Sequence, residues 1–108
     1  KTKYNWLLFW LHVLRMIKMT IFHIGTLHAK PEFRDALISS FDMLSRAPGY
    51  IGHKCFVSAD DKNKITVVEE WESKQSHLKF IGSMSKEQME QWLNMPSQPP
   101  EDGFFELA

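Results

Sequence analysis

Glu69, Trp71 and His77 are the residues of this chain whose types and spacing best suit chemistry. Glu69 and Trp71 stand two apart at the end of a β-branched run, so on a strand they share one face with Ile65 and Val67. His77 follows six residues after Trp71, in a helix that Ser73 is placed to cap. A carboxylate and an imidazole can accept and pass on protons, and an indole offers a flat apolar wall. Together they suit proton transfer at a strand–helix junction, a common place for ligand sites. Each also has a plainer role open to it. Trp71 can be core packing, His77 a solvent-facing or helix-capping residue, and Glu69 a paired structural carboxylate. His23 and His53 lie in other strand-like runs and are further candidates to touch a ligand.

Those residues need a frame, and the chain spells one out in order. Ile21 to His28 reads as a first strand with apolar residues on both faces. Pro31 to Arg46 reads as a helix: Pro31 suits the first position, Phe33, Leu37, Phe41 and Leu44 form a stripe, and Ala47-Pro48-Gly49 stops it. Tyr50 to Ser58 and Lys64 to Glu72 read as an antiparallel hairpin around the turn Asp60-Asp61-Lys62-Asn63. Ser73 to Gly82 is a short helix. Ser85-Lys86-Glu87-Gln88 has the form of a capping box, opening a helix with Met89, Trp92 and Leu93 inward. After a loop over Pro96 to Gly103, Phe104 to Leu107 gives a last strand. The order β-α-β-β-α-β is an α+β, ferredoxin-like plan with an antiparallel sheet.

Residues 1–18 differ in character. Trp6 to Ile17 is apolar except for His12 and Arg15, and reads as a helix. A run of about a dozen residues is too short to span a bilayer, which takes ~20. The expected role is an added helix against the domain or a second copy. Contact with a membrane surface is less favoured, and a signal sequence or extra residues upstream of Met19 are the other readings.

Composition narrows the function classes. The 108 residues suffice for one domain with a modest core. Thirteen Lys and Arg balance thirteen Asp and Glu, which argues against a nucleic-acid partner. The single cysteine, Cys55, rules out an internal disulfide and fits a reduced, cytoplasmic setting, with the thiol packed as a small apolar residue. The five histidines form no H-x-x-x-H pair, so no metal site is expected. No glycine-rich phosphate loop or nucleophile elbow is present.

The stretch Glu69-x-Trp71-Glu72-Ser73, followed by Lys74-Gln75 and a short helix, resembles the antibiotic biosynthesis monooxygenase family, and the element order agrees over residues 19–108. The resemblance implies a homodimer whose two sheets close an α+β barrel. It also implies oxygenation of a small aromatic, phenolic or quinol-like molecule without flavin, haem or metal: the substrate is deprotonated and its anion reduces dioxygen. On that reading Trp71 walls the pocket, and His77 and Glu69 handle protons. Val67, Phe80, His23 and His53 would contact the substrate. A Trp71→Phe change should then cost turnover more than stability. Two positions depart from the well-studied branch, which has asparagine where this chain has Val67 and tyrosine where it has His77. A haem-degrading branch shares the stretch, but Phe80 and Glu90 stand where its characteristic tryptophan and histidine belong and Gly25 lies near the place of its asparagine, so haem chemistry is not expected. The reading from a different class is a non-catalytic small-molecule binding or interaction domain. An apolar cavity with a polar group inside would favour the enzyme.

Overall fold

In the computed structural model, residues 2–108 are described, with the side chains of 5–13 and 20–108. The elements in chain order are α1 (Thr2–Met19), β1 (Ile21–His28), α2 (Arg34–Ser40), β2 (Tyr50–Val57), β3 (Lys64–Trp71), α3 (Lys74–Ser83), α4 (Lys86–Leu93) and β4 (Glu101–Phe105). The strands form one antiparallel sheet in the order β2-β3-β1-β4, the ferredoxin-like arrangement.

The central strand β3 decides which face does what. Ile65, Val67, Glu69 and Trp71 are buried, while Thr66, Val68 and Glu70 between them are half-buried. The buried set packs with Leu27 and Ala29 against the stripe Leu37, Phe41 and Leu44, so it faces the helices. The opposite face carries Phe22 and Ile24 of β1, Val68 of β3 and Phe56 of β2, the last 53% exposed.

Three stretches differ from the sequence reading. The helix expected over Pro31 to Arg46 is an α-helix of seven residues between 3-10 segments Pro31–Phe33 and Phe41–Arg46. Ser40 Oγ donates to the Leu37 carbonyl at 2.6 Å and Ser45 Oγ to that of Asp42 at 2.9 Å. Such hydroxyls compete for backbone acceptors and tighten the turns. In α4, Met89 and Trp92 are half-buried, but Leu93 is 54% exposed. One residue is ~100° of helix rotation, which carries Leu93 past the edge of the packed face. The last strand begins at Glu101, because pairing with β1 takes in Asp102 and Gly103 as well as the phenylalanines.

Two caps fix the helices that follow the sheet. Ser73 Oγ accepts from the Ser76 amide at 3.1 Å, which starts α3 two residues after Trp71 and aims its first turn back over β3. Ser85 and Gln88 form the reciprocal capping box of α4. Gly49 enters β2 with φ +83°, and its carbonyl accepts from the Glu72 amide at 2.8 Å. A Cβ there would collide with the Ser76 side chain, so glycine lets β2 pass close to α3.

The side chains of Trp6 to Leu11 on α1 are each more than half exposed. No helix among the described residues is long and apolar enough to cross a membrane.

Candidate functional site

Strand register assembles the site. His53 of β2, Glu69 of β3, His23 of β1 and Phe104 of β4 form one row across the sheet, on its helix-facing side. The first turn of α3 brings His77 down onto that row. Its ring lies 4.1 Å from that of His23, centroid to centroid, with the planes 30° apart.

Glu69 is the hub, at 5% exposure. Its Oε1 accepts from the Trp71 indole N–H at 2.9 Å, and its Oε2 lies 3.4 Å from His23 Nδ1. His77 Nε2 stands 3.7 Å from Oε1. On the far side of His23, Nε2 donates to Asp102 Oδ2 at 2.7 Å. His77 Nδ1 is buried with no hydrogen-bond partner among the described residues.

Between sheet and helices lies a cavity of about 360 Å³. Phe41, Leu44, Phe80, Met84 and Trp92 supply much of its apolar wall, while His23, Glu69, His77 and Asp102 give it one polar corner. Gly25 leaves room at that corner; a Cβ there would reach the Asp102 Cβ at 3.6 Å.

Among the residues singled out from the sequence, His23, Val67, Glu69, His77 and Phe80 line this cavity. Trp71 does not. It is fully buried behind Glu69, edge-on to Tyr50 and His77 at 5.7 and 5.3 Å, and reaches the cavity only through its bond to the carboxylate. His53 is in the right row but turned away, its Nδ1 2.6 Å from the Tyr50 hydroxyl. Asp102 and Trp92 belong to the site although sequence reasoning passed over them. The signal for Asp102 was alternation: two residues before Phe104, it shares that residue's face once the strand is extended. Burial pushes the Cys55 thiol up, so it stays protonated, a packed residue rather than a nucleophile.

The two imidazoles are driven apart in basicity. Burial pulls His23 down, but the hydrogen bonds and charges of Glu69 and Asp102 outweigh it, and His23 titrates above the ordinary 6.5. Burial and then the charge of His23 lower His77 below that value, against the opposing carboxylates. Two imidazoles in ring contact, one raised and one lowered in basicity, make a matched acid and base.

Their effects on stability have opposite signs. The contribution of His23 is complete below pH 6.5 and is lost as pH rises through its raised folded value. His77 costs stability as pH falls below 6.5, because the unfolded chain then takes up a proton that the fold refuses. Melting temperature is therefore expected to peak near pH 6.5 within the range of about 5 to 8. His23→Asn should flatten the alkaline limb and His77→Asn the acid limb; thermal melts across pH check this. A peak unmoved in both variants would contradict the assignment.

His23, Glu69 and His77 also present donor atoms that all lie within 4.8 Å of one another. The sequence spacing gave no hint of this, because the three are brought together by register and by the α3 cap.

A ferredoxin-like domain with a mostly apolar cavity and one acid–base corner defines a class of small-molecule proteins. The sequence model of the antibiotic biosynthesis monooxygenase family matches residues 20–98, and the chain belongs to that family. Similar solved structures include a conserved protein from Methanosarcina mazei Go1, at 18% identity and TM-score 0.71, covering 85% of this chain and 96% of that one. A candidate antibiotic biosynthesis monooxygenase from Chloroflexus aurantiacus J-10-fl is 23% identical, with TM-score 0.69 and coverage of 82% and 93%. SnoaB, a cofactor-independent oxygenase from Streptomyces nogalater, is 15% identical, with TM-score 0.64 and coverage of 82% and 91%. At these identities the likeness bears on the fold. No curated protein sequence matches the chain.

Proposed function

We propose that the chain is a monooxygenase that oxidises a small aromatic phenol or quinol without a bound cofactor. The observation that carries this is the polar corner of an otherwise apolar cavity, where His77 and His23 meet over Glu69. The apolar wall takes a flat ring and keeps water from it. His77 Nε2 accepts the acidic proton of the substrate, and the charge of His23 steadies the resulting anion. That electron-rich anion reduces dioxygen, and the oxygen adds to the ring carbon. For an anthrone-like substrate, one oxygen atom stays as a new carbonyl and the other leaves as water with the two hydrogens of the oxidised carbon. Family membership supports the reaction class.

Val67 leaves the wall apolar where the resemblance pointed to an asparagine, so the polar work falls to His23, Glu69 and His77. The test is oxygen uptake by metal-free protein offered hydroquinones and anthrone-like phenols. Uptake above autoxidation supports the reading; none with any substrate moves the fold to ligand binding alone.

The active form in this proposal is a homodimer. Phe22, Ile24, Phe56 and Val68 on the face away from the helices give a second copy an apolar surface to cover. Sedimentation at micromolar concentration should give twice the chain mass, and a monomer there contradicts the dimer.

A further inference from the structure

We propose that His23, Glu69 and His77 form a binding site for a first-row divalent transition metal, with its open coordination positions facing the cavity. Two nitrogens and a carboxylate are the ligand set that suits such ions, and they disfavour magnesium or calcium, which prefer all-oxygen sites.

The spacing fits. With metal–ligand bonds of about 2.1 Å, donors around a tetrahedral ion sit about 3.4 Å apart. Here His23 Nδ1 lies 3.4 Å from Glu69 Oε2 and His77 Nε2 3.7 Å from Glu69 Oε1, with all three donors inside 4.8 Å. The His77 contact is too long for a hydrogen bond and close to the separation of two donors joined through an ion, with the two histidines facing different oxygens of the carboxylate. The side chains are 12, 6 and 9% exposed, so this is no loose surface cluster.

Two of the three ligands, His23 and Glu69, have the supporting contacts of a metal centre, while His77 Nδ1 has no partner among the described residues. Ligating histidines almost always donate their other nitrogen to a carboxylate or carbonyl, and ligating carboxylates are themselves hydrogen-bonded. His23 Nε2 donates to Asp102 Oδ2 at 2.7 Å, and Glu69 accepts from the Trp71 indole at 2.9 Å. Both orientations are set before any ion arrives. The ion displaces the proton from His23 Nδ1 and takes the lone pair of His77 Nε2. Metal and substrate proton therefore compete for one place, and binding itself is independent of the proposed oxygenation.

The experiment titrates chelator-treated, full-length protein with cobalt(II) and follows the visible d–d bands, a readout that needs no turnover. One ion per chain is expected, with affinity falling more than about tenfold in His23→Gln, His77→Gln and Glu69→Gln, and unchanged in His28→Asn. Asp102 is 53% exposed, so Asp102→Asn leaves the core intact should a ligand variant fail to fold. That variant keeps all three ligands and should weaken cobalt by about 10–100-fold through the freed His23 ring. No saturable band in the wild type, or bands unchanged in these variants, would overturn the site.

Discussion

Glu69→Gln should lower turnover by about 10²–10⁴-fold while the protein stays folded. The carboxylate touches three partners, and the amide can replace it for only one. Its carbonyl oxygen still accepts the Trp71 indole N–H, now made at 2.9 Å, so the buried tryptophan keeps its bond. The negative charge that helps hold His23 protonated is gone. With it goes part of the contrast in basicity between His23 and His77 that the proposed proton removal uses. The amide N–H₂ then takes the place of Oε2, 3.4 Å from His23 Nδ1, where a carboxylate oxygen had faced the ring. Steady-state oxygen uptake set beside a thermal melt checks both halves. Glu69→Ala makes the comparison sharp, because it leaves the indole N–H buried and unpaired at a further cost of about 1–3 kcal/mol. Full activity in Glu69→Gln would mean that the carboxylate is structural.

Trp71→Ala is expected to cost about 3–5 kcal/mol, a large part of the ~5–15 kcal/mol that holds a domain folded. The side chain has no solvent exposure and packs against Tyr50, His77 and Phe80 at ring distances of 5.7, 5.3 and 6.0 Å. Trp71→Phe separates the two contributions of this residue. It keeps most of the volume but removes the donor that fixes Glu69, so it should cost about 1–3 kcal/mol and also lower turnover. This departs from the expectation that the Phe variant would spare stability. That expectation treated the indole as pocket wall, whereas it lies one layer behind the cavity, bonded to Glu69. Because it acts through Glu69, Trp71→Phe should also shift the pH profile of turnover. A variant that melts earlier but turns over with an unchanged profile would make Trp71 packing alone.

The sequence carried the features that depend on local pattern. Alternation along Ile65 to Trp71 grouped the four residues that are buried together, and Ser73 and Ser85 marked the starts of α3 and α4. The ferredoxin-like order followed from those elements. Patterns lost to competing local forces were less visible: the Pro31 to Arg46 stretch is in three pieces, with serine hydroxyls on backbone carbonyls around its second break, and a single-residue rotation left Leu93 outside. What local pattern could not give was the meeting of His23, Glu69 and His77. Forty-six residues separate the first two, and only the β1–β3 register pairs them. Asp102 was hidden for a similar reason, since its strand begins in a segment whose prolines read as loop. His53 shows the converse: register puts it in the same row, and a bond to Tyr50 turns it away from the cavity.

In the proposed reaction, the corner formed by His77, Glu69 and His23 removes a proton from an aromatic substrate whose anion then reduces dioxygen. The most direct measurement is oxygen uptake by chelator-treated protein with anthrone-like phenols and hydroquinones, run beside Glu69→Gln and His77→Ala. Uptake well above autoxidation in the wild type, falling toward the autoxidation rate in both variants that remain folded, is the predicted result. Uptake that both variants retain in full, or none in the wild type with any substrate, would contradict it.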